Sequence, residues 1–159
     1  MLSRTQIIET MKVRAFGFMK IPLIWWVTPS VIAVGVERTE IKIKLNRRTQ
    51  NHLKSMYFGA LAIGADLAGG LLLIKLMREK RLKASFVFKD MEAKFLKRAD
   101  GDVHFVCDSG PDVAKLIENV IQSPERQETV VEIKALVPTK YALEPVAIFR
   151  LTLSVKRLS

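Results

Sequence analysis

The sequence has very little of the residues that build disulfide frameworks and cysteine-based metal sites. Among its 159 residues there is one cysteine, Cys107, and the two histidines, His52 and His104, are far apart in the chain. A disulfide within the chain needs two cysteines, and structural zinc sites use closely spaced cysteine and histidine pairs. A disulfide within the chain and a structural zinc site are therefore excluded, and no metal site is predicted. The single cysteine is typical of a protein from a reducing compartment.

Glycine and proline are also scarce, with 8 and 6 residues respectively, while 49% of the residues are hydrophobic and 26% are charged. This composition predicts a folded chain rather than a disordered one, and the length is that of one domain. The first fourteen residues, MLSRTQIIETMKVR, contain four charged side chains and no apolar run. They do not resemble a secretory signal, so a cytoplasmic location is predicted.

The chain has few acidic residues relative to basic ones, 16 against 26, which gives a formal net charge of +10. Such a charge favours anionic partners: nucleic acid, a lipid surface or a phosphate-bearing small molecule. The basic residues are scattered and form no block interleaved with aromatic residues, so nucleic acid is not the predicted partner. A peripheral membrane or nucleic-acid binder remains an alternative that rests on charge alone.

The N-terminal third combines a helix pattern with a strand pattern. Residues Gln6 to Met19 predict an amphipathic helix, and Pro22 and Pro29 break the chain that covers the core after it. TEIKIKL, from Thr39, alternates apolar and polar residues and predicts a half-buried strand. The apolar stripe of the helix consists of Ile7, Ile8, Met11, Ala15, Phe18 and Met19.

Period-two patterns dominate the second half of the chain. Alternation in FVFKDMEAKFLK, DVHFVC, TVVEIKALV and AIFRLTLSV predicts four or five further strands. Only PDVAKLIENVIQ interrupts them, and its Pro and Asp at the start predict a short helix.

Between these patterns, about residues 56–79 form a long and almost entirely apolar helix whose central charge is Asp66. A membrane span is one interpretation, but an ionisable residue in mid-span is costly, and the strands would then have nothing to cover their apolar face. A curved antiparallel sheet wrapped around the helix buries both elements. The sequence therefore predicts an α+β fold without a transmembrane segment.

The order of elements resembles the hotdog fold, and the motif around the central helix is similar to that of the PaaI-like acyl-CoA thioesterases. In that family a loop Asn precedes His-Gly-Gly at the helix start, and a catalytic Asp or Glu follows seven residues after the second Gly. Asn51, Tyr57-Phe58-Gly59 and Asp66 reproduce this layout, and FLKRADGD resembles the family's Phe-Leu-Arg-Pro-Ala-x-Gly-Asp. SMYFGAL with ADLAGG resembles a less characterised branch of the fold.

This resemblance implies a single hotdog domain over residues 1–159, with an N-terminal helical extension over about 1–30. It implies an acyl-CoA or related thioester as substrate, no cofactor apart from the coenzyme A of the substrate, and a homodimer or a tetramer. Asp66 would be the general base or the nucleophile, Asn51 would hold the water or the substrate carbonyl, and the Gly59 N–H would polarise the thioester oxygen.

The other positions of the motif imply substrate contacts. Tyr57 stands where the family has His, and Lys94, Lys97 and Arg98 are candidates to meet the phosphates of coenzyme A. Each residue also has a structural explanation: Asp66 capping backbone or pairing with a lysine, Asn51 completing its own turn, and Gly59 allowing close packing. The lysines and Arg98 would then lie on a solvated face.

Helix geometry adds a requirement of its own. Seven residues separate Gly59 from Asp66, which places them on the same helix face but about 10.5 Å apart along the axis. They cannot act on one carbonyl within a single chain. Two antiparallel central helices related by a two-fold axis would bring Asp66 of one subunit to Gly59 of the other, so the spacing predicts a homodimer with shared sites.

Two departures from the family leave a second function open. Tyr57 replaces the motif His, and the family's Ser or Thr on the strand after the helix has no clear match. A hotdog protein that binds acyl groups or acyl-CoA without hydrolysing them is therefore the alternative to a thioesterase.

Overall fold

The computed structural model describes residues 3–158, which form five helices and six strands. The elements are α1 (Arg4–Lys20), α2 (Pro22–Trp26), β1 (Ser30–Val34), β2 (Thr39–Ile43), α3 (Phe58–Glu79), β3 (Ala84–Phe95), β4 (Val103–Cys107), α4 (Gly110–Gln122), β5 (Gln127–Leu136), α5 (Pro138–Tyr141) and β6 (Pro145–Arg157).

All six strands belong to one curved antiparallel sheet with the order β1-β2-β4-β5-β6-β3. The four strands predicted in the second half of the chain are β3 to β6, and the predicted strand from Thr39 is β2, with Ile41 and Ile43 fully buried. β1 and β3 form the two edges of the sheet. β3 is the longer edge, with twelve residues that pair only with β6 among the described strands.

Helix α3 lies against the concave side of the sheet, as predicted, and begins two residues later than the pattern suggested. Eleven of its 22 residues are buried. Gly64 lets the helix approach β4 so closely that an added Cβ would lie 2.5 Å from Cδ2 of the Phe105 ring. The Thr39 hydroxyl on β2 donates a 2.6 Å hydrogen bond to the Ala68 carbonyl, which fixes the helix along its axis.

The length and composition of α3 would also allow it to cross a membrane, with a mean hydropathy of 1.8 over its most apolar 18 residues. However, 61% of that window is buried inside the protein, against the sheet and α4. This is the position of a core helix, so the apolar run is explained by the sheet that covers it.

The predicted N-terminal helix is present as α1, but its apolar stripe is not the buried side, unlike that of a typical amphipathic helix in a globular domain. Thr10, Val13 and Gly17 are the buried residues, and they lie on the side opposite the apolar stripe. Polar side chains of the inner side attach α1 to residues 28–32: Gln6 donates to the Ile32 carbonyl at 2.6 Å, and Thr10 accepts from the Val31 N–H at 2.9 Å. The stripe therefore faces outward.

Residues 21–29, expected as irregular chain covering the core, contain the short helix α2. Ile24 and Val27 are buried there, as that expectation requires. Trp25 and Trp26 are not, with 41% and 50% of their surface exposed. Pro22 begins α2, where its fixed φ and missing N–H are compatible with a first helical turn.

Candidate functional site

A cavity of about 430 Å³ lies between the N-terminal helices, α3 and β3. Most of its wall is apolar, and the charged groups on it are the Glu9–Lys12 ion pair, Arg78 and Asp66. Its volume and composition are those of a site for a small apolar ligand. The apolar lining comprises Val13, Phe16, Ile21, Ile24, Leu67, Gly70, Leu71, Ile74, Phe86, Val87 and Phe88.

Asp66 brings a carboxylate to this apolar wall from the middle of α3. Its side chain makes no hydrogen bond or ion pair with any other residue in 3–158, so neither capping nor lysine pairing occupies it within this part of the chain. Burial without compensation raises the pKa of the Asp66 carboxyl above its ordinary value of 3.8. A raised pKa makes the carboxylate a stronger base, which suits it to accept a proton from a bound water.

The N-terminus of α3 presents backbone N–H groups without partners. Tyr57 is the N-cap residue and provides no side-chain cap. Its carbonyl accepts from the N–H groups of Ala60 and Leu61 at 2.9 and 3.1 Å, and those of Phe58 and Gly59 have no acceptor within residues 3–158. Free N–H groups at the positive end of a helix can stabilise negative charge that develops on a bound oxygen.

A neighbouring side chain also lies close to Gly59. A Cβ at this position would lie 2.7 Å from Cε1 of Tyr57, because the tyrosine ring folds over the helix start. Tyr57 and Phe58 are in contact, with ring centroids 4.6 Å apart, and both are largely exposed. The structural explanation for this glycine and its expected oxyanion role are therefore compatible.

Asn51 lies in the loop that leads into α3 and organises that loop. Its side-chain oxygen accepts from the backbone N–H groups of Leu53 at 2.9 Å and Ser55 at 3.2 Å. This is the local turn bonding that an ordinary loop Asn makes. The side-chain NH₂ donates to no group within residues 3–158, so it remains available to a bound carbonyl or water.

The predicted cationic residues at the end of β3 and directly after it differ in their surroundings. Arg98 reaches back to the loop before α3, where its guanidinium donates to the Ser55 hydroxyl at 3.1 Å and to the Leu53 carbonyl. Lys97 forms an ion pair with Glu144. Lys94 is exposed on β3 and makes no ion pair with another described residue. Of these three residues, Arg98 is the one that holds the loop before α3. This role was not predicted from the sequence.

Within one chain, the structure groups the predicted site residues at two places. Asn51, Tyr57, Gly59 and Arg98 are at or next to the start of α3, whereas Asp66 faces the cavity about two helical turns later. Gly59 and Asp66 of one chain are thus separated along α3, as the sequence predicted. His52 is exposed in the loop, and His104 bonds to Glu40 at 2.7 Å on the sheet, so neither histidine lines the cavity.

The part of the cavity wall that comes from the N-terminal helices was not predicted. Val13 and Phe16 lie outside the apolar stripe of α1, and the sequence pattern pointed to the opposite face. Trp25, Trp26 and Phe58 do not line the cavity. The available signal was the presence of two apolar residues, Val13 and Phe16, on the more polar side of the helix.

Solved structures share this architecture at low sequence identity. A protein of unknown function from Pseudomonas aeruginosa, described as a probable thioesterase, is 19% identical and superposes with a TM-score of 0.77 over 94% of this chain and 96% of its own. A protein of unknown function from Chlorobaculum tepidum is 11% identical, with a TM-score of 0.81 over 96% and 97%.

A mutant thioesterase from Pseudomonas aeruginosa is 18% identical, with a TM-score of 0.64 over 94% of each chain. At these identities the similarity shows the fold alone, which is the hotdog fold.

Among curated proteins, none matches the sequence significantly. A family match does cover most of the chain, residues 10–149, and it includes the start of α3, Asp66 and every cavity-lining residue except Glu9. The chain belongs to this family, which is described as a domain of unknown function, DUF4442.

Proposed function

We propose that the protein hydrolyses the thioester bond of an acyl-CoA or a related thioester. The observation that carries this proposal is the half-buried and unpaired Asp66 carboxylate on the wall of an apolar cavity, on the same helix face as the uncapped start of α3. Burying an unpaired carboxylate costs free energy of folding, so a functional role for Asp66 is expected. Two of the structural neighbours are described as a thioesterase or a probable thioesterase, which agrees with this proposal.

The chemistry requires two groups at one carbonyl. The Gly59 N–H of one protomer donates to the thioester oxygen, and Asp66 of the partner protomer acts on the carbonyl carbon. As a general base, Asp66 takes a proton from water while the hydroxide adds to carbon. The tetrahedral intermediate then expels the coenzyme A thiolate, which takes up the proton.

As a nucleophile, Asp66 would instead form a mixed anhydride and release the thiolate, and water would hydrolyse the anhydride in a second step. Both routes use the same carboxylate and the same oxyanion donor. They differ in the covalent intermediate: oxygen from labelled water enters the Asp66 side chain only by the nucleophilic route, when water attacks the Asp66 carbonyl of the anhydride.

A homodimer is part of this proposal, because one chain holds Gly59 and Asp66 about 10.5 Å apart along α3. The β3 edge offers a surface on which a second copy could continue the sheet, since its twelve residues pair on one side only among the described strands. Val87 of β3 is exposed and also lines the cavity. Pairing along β3 would therefore place the partner beside the site.

The substrate's two ends differ in chemistry, and so do the surfaces that would receive them. The apolar cavity suits the acyl chain. For the coenzyme A phosphates, Lys94 is the freest of the predicted cations, because Lys97 is paired with Glu144 and Arg98 is engaged by the loop. Lys94 lies on β3, the proposed dimer edge.

Binding without hydrolysis is the second candidate function, favoured by two observations. The Tyr57 ring covers Gly59, and the Asn51 oxygen is used by its own loop, so both predicted helpers are partly occupied. Tight acyl-CoA binding by calorimetry, without any turnover, would identify this function.

The experiment that separates the two candidates is thiol release from a panel of acyl-CoAs of different chain length. We expect turnover by the wild-type protein and a loss of at least about 100-fold in Asp66→Asn, which removes the proton acceptor at nearly constant volume. Asp108→Asn is the matched control, because it makes the same chemical change at a side chain that is 56% exposed. Full activity of Asp66→Asn, or no thiol release by the wild type from any substrate, would refute the hydrolase proposal.

A further inference from the structure

Helix α1 is oriented with its polar side inward. Gln6 and Thr10 hydrogen-bond the backbone of β1, and Arg14 donates to the Pro29 carbonyl at 2.8 Å. An amphipathic helix of a globular domain normally buries its apolar stripe instead. The inward polar bonds fix the orientation of α1, so the exposed stripe is not explained by a loosely attached helix.

The outward side of α1 continues into α2 as one apolar surface. Met11, Phe18 and Met19 are 66%, 67% and 69% exposed, and Leu23 of α2 is 65% exposed. The rings of Phe18 and Trp25 meet edge to face at 5.8 Å, which joins the two helices. We call this surface the N-terminal apolar face, made of Ile7, Ile8, Met11, Phe18, Met19, Leu23, Trp25 and Trp26.

No element in residues 3–158 covers the N-terminal apolar face. Single exposed apolar residues are ordinary on a protein surface, but a joined group of eight large ones is not. Such a surface marks a place where the protein meets a protein partner or a membrane.

The charges around this face are mostly basic. Residues 3–26 contain four basic side chains and one acidic side chain. Lys12 is paired with the acid, Glu9, at 2.7 Å and Arg14 bonds inward, which leaves the exposed Arg4 and Lys20 on the outer surface. The Arg48 guanidinium lies over the Trp26 ring, 5.1 Å from its centroid. The whole chain carries a net charge of +10. The N-terminal apolar face is therefore bordered mainly by positively charged side chains.

We propose that the N-terminal apolar face docks on the surface of an anionic lipid bilayer. Helices that lie in the membrane interface combine exposed Trp, Phe and Leu with basic residues, as α1 and α2 do. Tryptophan prefers the headgroup level, and each basic residue near an anionic leaflet adds to the attraction. A second copy of this chain fits this face less well, because the positively charged side chains around the two faces would repel each other.

Docking in this orientation would also place the cavity near the bilayer. The inward side of α1 contributes Val13 and Phe16 to the cavity wall, while the outward side would contact lipid. α1 therefore lies between Asp66 and the proposed membrane surface. The docking itself does not rest on the proposed hydrolysis, since it uses residues that the reaction does not.

The two tryptophans of the chain, both in α2, provide a direct reporter. We expect a blue shift of their fluorescence, and co-sedimentation of the full-length protein, with vesicles that mix phosphatidylglycerol and phosphatidylcholine. Both signals should weaken with phosphatidylcholine alone and with rising salt, because the attraction to anionic lipid is screened. Absence of a shift and of co-sedimentation with the anionic vesicles at low salt overturns the proposal.

A double substitution, Met11→Gln with Met19→Gln, tests the face while keeping both tryptophans. These side chains are exposed and do not line the cavity, so fold and thiol release should be unchanged while vesicle affinity falls at least about tenfold. Leu143→Gln is the matched control, because Leu143 is 83% exposed and lies outside the face. If the double variant instead changes the oligomeric mass by light scattering and leaves vesicle binding intact, the face is a protein interface and the proposal is wrong.

Discussion

Two glycines on α3 provide a sharp test of how the helix that carries Asp66 is seated. Gly64 and Gly70 are both buried in the same helix, and replacing either with Ala makes the same chemical change. Their surroundings differ. A Cβ at 64 would lie 2.5 Å from Phe105 Cδ2 and closer still to two other atoms of that ring, whereas a Cβ at 70 would find Phe88 Cζ as its nearest neighbour at 3.8 Å.

The two substitutions should therefore have opposite effects on stability. Ala in place of Gly stabilises a helix by about 0.8–1 kcal/mol, and at position 70 the added methyl group makes ordinary van der Waals contact. At position 64 the fully buried Phe105 ring or the helix must move by about 1 Å, and overpacking of this kind costs about 1–3 kcal/mol or more. We expect a gain of about 0.5–1 kcal/mol for Gly70→Ala and a net loss of about 2 kcal/mol for Gly64→Ala.

Thermal unfolding followed by circular dichroism measures both changes. At this chain length, 1 kcal/mol corresponds to about 2–4 °C in Tm, so Gly64→Ala should lower the Tm by about 4–8 °C and Gly70→Ala should raise it by about 1–4 °C. Urea midpoints provide an independent check. Equal shifts of the two variants in the same direction would mean that α3 does not pack against Phe105 as described.

Two further predictions concern the proposed site. Asp66→Asn and Gly59→Pro, which lacks the N–H proposed to polarise the thioester oxygen, should each be inactive. Unfolding and refolding the two proteins together should restore thiol release to about one quarter of wild type, because half of the dimers would be mixed and each would hold one intact shared site. No recovery, with mixed dimers shown by mass spectrometry, would argue against shared sites. The second prediction is a pH dependence of stability. Because burial raises the pKa of folded Asp66 above 3.8, the folded state holds its proton more tightly, and ionisation destabilises it as pH rises through that value and beyond. Asp66→Asn should thus be more stable than wild type at pH 7 by about 1 kcal/mol, and equally stable near pH 3, by urea denaturation. A less stable variant at pH 7 would mean that the carboxylate is compensated by a partner.

The fold was predictable because its sequence signals are local and agree with one another. The alternation in β2 and in β4 to β6 specified which residues are buried, and the apolar run of α3 required a covering sheet. Antiparallel pairing then leaves few topologies. The fold likeness to thioesterases rested on the same order of elements.

The candidate site was predictable only in part, because its position on α3 is local and its surroundings are not. The seven-residue spacing from Gly59 to Asp66 is a property of one helix and could be calculated. The cavity wall depends on how α1 lies across α3 and β3, which involves contacts between residues far apart in the chain. The engagement of Arg98 by the loop before α3 is likewise a long-range contact, across more than forty residues.

The outward orientation of the apolar stripe of α1 has a physical origin that also supports the proposed membrane contact. Helical periodicity reports that apolar side chains share a face, but it does not report what covers that face. The usual assumption is that the domain's own core does so. In α1 the inner side instead uses Gln6, Thr10 and Arg14 to satisfy backbone groups beside the edge strand β1, where N–H and C=O groups would otherwise lack partners. Because those polar bonds fix the orientation of α1, its apolar stripe points away from the core. The stripe can then be removed from water only by contact with an apolar surface outside the domain, such as a membrane.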